Sequence, residues 1–133
     1  MFDFRFFSDG SKFDAVCQKG EFMKMQGETV FDFTMTEVLN TLKRYNISEF
    51  DYFIPHQSNL YILKQFQRRL NIPDDQMVIN IQKYGNTSAC SIPLAMVTEK
   101  PTGWVLVCGY GAGLNWGIAT FNYEPENIYY NEV

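Results

Sequence analysis

The one histidine of the chain, His56, stands in the string Ile54-Pro55-His56-Gln57-Ser58-Asn59, between a strand-like and a helix-like segment. An imidazole there can donate, accept or carry a proton near neutral pH. About thirty residues on comes Tyr84-Gly85-Asn86-Thr87-Ser88, which sets a carboxamide in a tight glycine turn before a helix-like stretch. Near the end, Gly109 to Gly117 forms a glycine-rich loop whose bare N–H groups can approach a ligand closely. All three segments fall at strand ends, where α/β domains place their ligands. Each also has a plain structural reading on its own. A strand-end histidine can be satisfied by backbone partners, Gly-Asn is a common turn, and a glycine-rich hairpin is usually only a hairpin.

Three cysteines at 17, 90 and 108 show no pairable short-range pattern, which suits a reducing cytoplasm. With His56 they make a Cys₃His set on paper, but no pair has the short ligand spacing of zinc motifs, and no metal is expected.

Elements that position these groups follow from periodicity. Phe2 to Phe7 is an aromatic strand ended by the turn Ser8-Asp9-Gly10-Ser11, and Phe13 to Lys19 alternates as a second strand. Glu21 to Gly27 reads as a loop. Phe31, Met35, Val38, Leu39, Leu42 and Tyr45 recur at helical spacing across Val30 to Tyr45. Asp51 to Ile54 is a short buried strand stopped by Pro55. A helix over Gln57 to Leu70 turns Leu60, Leu63 and Phe66 inward, with Lys64, Arg68 and Arg69 outward. Met77 to Ile81 is a strand, and a helix runs from Ser88 to Glu99 with Pro93 tolerable near its first turn. Trp104 to Cys108 and Leu114 to Tyr123 close the chain as two strands. This order predicts a layered α/β domain with a mixed sheet.

Composition bounds the rest. At 133 residues the chain suits one domain with a real core, and 46% hydrophobic residues fit a packed interior. Twelve Phe and eight Tyr exceed what such a core needs, so part of that apolar surface is expected to meet a partner domain or an acyl chain. A net charge of -4 argues against nucleic-acid binding, which requires surplus Lys and Arg. No apolar run reaches the roughly 18 residues of a membrane-spanning helix, and no secretory signal is visible, so a cytoplasmic protein without membrane contact is expected. The chain begins abruptly inside strand-like sequence, as a fragment would.

Taken together, HQSN, YGNTS and GYGAGLNWG in this order and spacing resemble the thiolase-like condensing enzymes, in particular beta-ketoacyl-acyl-carrier-protein synthase III. The likeness runs from the Ser8-Asp9-Gly10 turn to the final strand and corresponds to the second of that family's two similar halves. It implies an α/β, thiolase-like half with a mixed five-stranded sheet and helices on both faces, spanning 1–133. The half that carries the family's nucleophilic cysteine is absent, and none of the three cysteines aligns with it.

The resemblance also implies roles. His56 and Asn86 would stabilise the enolate formed when a malonyl thioester loses carbon dioxide, and the backbone N–H of Ala112 would serve a second oxyanion. Gly27, Phe31 and Tyr110, with the adjoining Gly111, align with positions along the acyl and pantetheine passage, and Asn59 with one near the pantetheine arm. Phe31 reads equally as helix core. Acyl-CoA and malonyl-acyl-carrier protein would be substrates, with no cofactor. Lys64, Arg68 and Arg69 would dock the acidic acyl carrier protein by complementary charge, or simply form a solvated face. Family members often carry a basic residue where Tyr61 stands, which weakens that docking. The whole enzyme would be a homodimer, and the lone half would be inactive.

Within the superfamily, degradative thiolases place a second histidine at the position of Asn86 and a cysteine at that of Tyr110, and neither is present. Related His–Asn acyltransferases, polyketide-type initiators, and a catalytically silent module with the same fold remain open.

Overall fold

A computed structural model describes residues 2–127. The chain builds β1 (Asp3–Ser8), the hairpin β2 (Val16–Lys19) and β3 (Phe22–Met25), and α1 (Gly27–Phe33). A π-helical stretch, Thr34–Val38, carries α1 without a break into α2 (Leu39–Leu42). Then follow β4 (Tyr52–Pro55), α3 (Leu60–Arg69), α4 (Ile81–Tyr84), α5 (Ser91–Glu99), β5 (Gly103–Gly111) and β6 (Asn115–Tyr123).

One sheet runs in the order β1-β6-β5-β4, with β4 parallel to β5 and the other two pairs antiparallel. Successive side chains of a strand face opposite sides, and here both sides are apolar. Phe53, Leu106, Cys108, Trp116 and Ile118 join Phe33, Leu39, Leu42, Leu63 and Phe66 in a core on the side of α1–α2 and α3. Ile54, Val105 and Tyr123 pack on the opposite side with Ala95, Ile92 and Met96 of α5. Helices thus cover both faces, as the resemblance implies.

The sheet has four strands rather than the expected five, and Pro55 explains the loss. Met77 forms one parallel bridge with Phe53, sealed by Phe53 N–H donating to Gln76 O (2.8 Å) and Val78 N–H donating to Phe53 O (3.0 Å). The next donor toward Val78 would be residue 55, and proline has no N–H. The buried Gln57 amide takes over. Its Nε2 donates to Val78 O (3.1 Å) and Pro55 O (2.9 Å), and its Oε1 accepts from Asn80 N–H (3.0 Å). A side chain finishes what would have been a ladder, so 77–81 stays out of the sheet.

Other departures are local. Glu21 to Gly27 is no loop: Phe22–Met25 pairs with Val16–Lys19 as a separate two-stranded hairpin, and the Phe13–Lys19 strand is correspondingly shortened. The first long helix starts at Gly27 and ends at Leu42, earlier at both ends than its apolar stripe. Three threonines bend back onto it: Thr34, Thr36 and Thr41 Oγ1 donate to the carbonyls of Val30, Asp32 and Glu37. Such bonds compete with the helical ladder and accompany its widened turn. The next helix begins only at Leu60, because the Asn59 side chain caps it by accepting from Tyr61 N–H (2.8 Å). The last helix is split, with a 3-10 turn at Ser88–Cys90 before Ser91, and Pro93 lies in its first turn.

Candidate active site at the carboxyl end of the fourth strand

His56 follows β4 directly, its N–H donating to Cys108 O of β5 (2.7 Å). The parallel β4–β5 pair therefore delivers the imidazole to the carboxyl end of the strand, where α/β folds hold ligands. The ring is half-buried, and desolvation holds its pKa below the ordinary value of 6.5. The neutral imidazole is the resting form. Its Nδ1 lies 2.6 Å from Ser91 Oγ, the first residue of α5.

Asn86 reaches the same turn from the other side. Its Nδ2 donates to Ser58 O (3.2 Å), two residues past His56, and its Oδ1 accepts from Ser88 N–H (2.9 Å). These bonds orient the carboxamide and leave it a second N–H to donate. Gly85 makes the approach possible: at φ 68 and ψ -162 it occupies backbone space that side-chain-bearing residues rarely reach.

Tyr110 of β5 closes the group. Its hydroxyl lies 2.6 Å from Ser58 Oγ, its ring meets the His56 ring edge-on at 5.2 Å, and burial raises its phenol pKa. His56, Asn86 and Tyr110 are therefore gathered around one three-residue turn, 56–58. Ala112 lies two residues beyond Tyr110, in the β5–β6 turn, its carbonyl accepting from Asn115 Nδ2 (2.8 Å). Gly111 ends β5.

The remaining predicted residues sit further out. Phe31 stacks on Tyr61 at 5.8 Å between ring centres, which joins α1 to the first turn of α3 near Asn59. Gly27 opens α1, where an added Cβ would meet open space. Lys64, Arg68 and Arg69 are exposed along α3. Lys64 Nζ donates to Gln67 Oε1 (2.8 Å) and Arg69 Nε to Gln65 Oε1 (3.3 Å). Arg68 and Arg69 lie in the last turn, where positive charge also complements the helix dipole.

An apolar cleft of about 370 Å³ adjoins the site, lined by Phe4, Phe6, Ile92, Gly109, Tyr110 and Gly117 among others. A larger hollow, about 870 Å³, opens by Tyr52 and Asn46 at the amino end of β4, remote from His56. It is open and polar, and none of His56, Asn86 and Tyr110 lines it, whereas Tyr110 lines the smaller cleft, which is therefore the relevant one.

Three supporting groups were not predicted as site residues: Gln57, Ser58 and Ser91. Gln57 and Ser58 stand beside His56 in the sequence and Ser91 lies 35 residues from it, and only folding shows which atoms they hold. Among the described residues no cluster of three or more His, Cys, Asp or Glu side chains could hold a metal. Likewise no helix among them is long and apolar enough to cross a membrane.

The family model described as 3-Oxoacyl-[acyl-carrier-protein (ACP)] synthase III C terminal matches residues 41–123. Beta-ketoacyl-[acyl-carrier-protein] synthase III 1 of Halalkalibacterium halodurans is 38% identical over 122 residues, covering 83% of this chain and 39% of the relative. Beta-ketoacyl-[acyl-carrier-protein] synthase III of Campylobacter jejuni is 41% identical over 118 residues, covering 80% of this chain and 36% of its own. Among solved structures, the Aquifex aeolicus 3-oxoacyl-[acyl-carrier-protein] synthase III superposes at TM-score 0.78 with 32% identity, over 90% of this chain and 43% of that one. The chain thus spans about two fifths of the length of the curated relatives it matches.

Proposed function

The chain belongs to the 3-oxoacyl-[acyl-carrier-protein] synthase III C-terminal family, and from that premise we propose that it is the enolate-stabilising half of a decarboxylating Claisen condensing enzyme. The proposed substrates are a malonyl thioester on acyl carrier protein and an acyl-CoA primer, at the initiation of fatty acid synthesis. No cofactor takes part.

In this reading the malonyl thioester oxygen receives the Nε2–H of His56 and the free Nδ2–H of Asn86. Loss of carbon dioxide puts negative charge on that oxygen, and two preoriented neutral donors in a partly desolvated site stabilise it as it forms. The carbanion then attacks an acyl thioester carried by a cysteine in the amino-terminal half. The Ala112 N–H supports the second oxyanion, and the cysteine thiolate leaves. Gly27, Phe31, Asn59, Tyr110 and Gly111 line the way for the acyl and pantetheine parts. Lys64, Arg68 and Arg69 meet the acidic carrier protein and speed its encounter more than they tighten it. Partners are that carrier protein, the amino-terminal half and a second copy of the whole enzyme, which works in the cytoplasm.

The observation that carries the reading is the turn 56–58: it bonds Asn86 through Ser58 while His56 occupies its first position. The chain alone supplies no aligned nucleophile and is inactive by itself. The test combines it with an amino-terminal half bearing the cysteine. His56→Ala or Asn86→Ala should then lower condensation about 10² to 10³-fold each, with acylation of the cysteine retained. Condensation left unchanged in either variant, or a loss confined to acylation of the cysteine, sinks the assignment.

A further inference from the structure

We propose that Ser91 is a positioning residue whose hydroxyl donates to His56 Nδ1 and so fixes the ring proton on Nε2. The argument is one of hydrogen-bond satisfaction. Ser91 is 1% exposed, so its hydroxyl proton needs a protein acceptor. Two groups reach Ser91 Oγ: His56 Nδ1 at 2.6 Å and Gln57 N–H at 3.2 Å. The backbone N–H of Gln57 can only donate, and it uses one lone pair of the oxygen. Among the described residues the one acceptor left for the Ser91 proton is Nδ1. If Nδ1 carried the ring proton instead, both neighbours would donate to Ser91 and its own O–H would be buried without a partner, which carries the full desolvation penalty of an unmade bond.

The consequence lies at the opposite side of the ring. With Nδ1 engaged as an acceptor, Nε2 presents N–H, the form that can donate to a developing oxyanion. Imidazolium formation is opposed by the same geometry, because it would also place a proton between Nδ1 and Ser91 Oγ. The functional meaning rests on the enolate-stabilising reading of His56, but the tautomer itself does not.

The single histidine makes the test direct, since nitrogen-15 histidine labelling yields one imidazole. Long-range proton–nitrogen correlation on this chain at about pH 8, above the ordinary histidine range, reads which nitrogen is protonated. The expected spectrum shows one tautomer, protonated at Nε2. Ser91→Ala should lose that selection and give a tautomer mixture, while Ser91→Thr, which keeps the hydroxyl, should preserve it. A native spectrum with the proton on Nδ1, or an unchanged single tautomer in Ser91→Ala, overturns the proposal. If Ser91→Ala does not fold, the native spectrum decides alone. A native Nε2–H tautomer combined with full condensation by His56→Ala would leave Ser91's role standing and remove the enolate reading.

Discussion

Pro55 has no N–H to offer Val78, and the side-chain amide of Gln57 offers one in its place. The same amide also binds Pro55 O and Asn80 N–H, so one buried side chain terminates the sheet and fixes the chain that leads to Asn86. The backbone N–H of Gln57 meanwhile donates to Ser91. Residue 57 thus ties the sheet edge to the imidazole's surroundings.

Replacing Gln57 by Leu should accordingly cost about 3 kcal/mol, since two carbonyls and one N–H are left buried at roughly 1 kcal/mol or more apiece. Urea unfolding of the two proteins, followed by tryptophan fluorescence, reads the difference. A loss under about 0.5 kcal/mol would show that water or a relaxed backbone satisfies those groups.

Gly85→Ala places a Cβ at φ 68, ψ -162, and the strain should cost about 1–3 kcal/mol. No neighbouring atom opposes the added methyl, so the cost is purely conformational. The chain would relieve it by rotating the turn, so Asn86 should leave Ser58. Loss of the Asn86 side-chain amide signals from their native positions in a nitrogen-15 spectrum checks this.

His56 also predicts a pH dependence. Its folded pKa is held below 6.5 by burial, so as pH falls the unfolded chain takes up the proton first. Stability is therefore fully present above about pH 7 and declines as pH falls below 6.5 toward the folded pKa, by at most about 1.4 kcal/mol per pH unit for one proton. His56→Gln should flatten the urea midpoint between roughly pH 7.5 and 5.5, because no other histidine titrates there. A midpoint that rises as the native protein is acidified would reverse the sign of the argument.

The thiols should label in a set order. Cys90 is exposed and should react first with an aromatic disulfide reagent, and half-buried Cys17 second. Cys108 is buried, with its pKa pushed up to about 12 by desolvation, and should react only on unfolding. Fast labelling of Cys108 in the native protein would mean that β5 opens readily.

Much of this was legible in the residues. The apolar stripes of Phe31 to Leu42 and of Leu63 and Phe66 fix helices, although Leu60, expected inward, opens its helix exposed and Ile62 is buried in its stead, and β5 and β6 are long enough to fix strands. His56 and Asn86 stood out as candidates because proline and glycine mark their element ends, but their joint roles, and the place of Tyr110 beside them, came from the resemblance of the HQSN, YGNTS and GYGAGLNWG strings. The Phe22–Met25 strand was not legible, since a four-residue strand between polar turns has too little periodicity to separate from loop. The lost fifth strand was signalled by Pro55, but its replacement by a side chain two residues later depends on three-dimensional reach. The support from Ser58 and Ser91 was hidden for the same reason: 52 residues separate Ser58 from Tyr110, and 35 separate His56 from Ser91.

Phe4 and Phe6 of strand β1, with Phe2 just before it, lie in water, 48%, 74% and 68% exposed, with Phe4 and Phe6 ring to ring at 4.1 Å. This is also the outermost strand, so its free backbone edge and its bare aromatic row lie side by side. A border of that kind is a template for self-association. Concentrated samples of the chain on its own should therefore thicken into oligomers through this margin, and a lysine at position 4 or 6 is the change that would keep them dispersed.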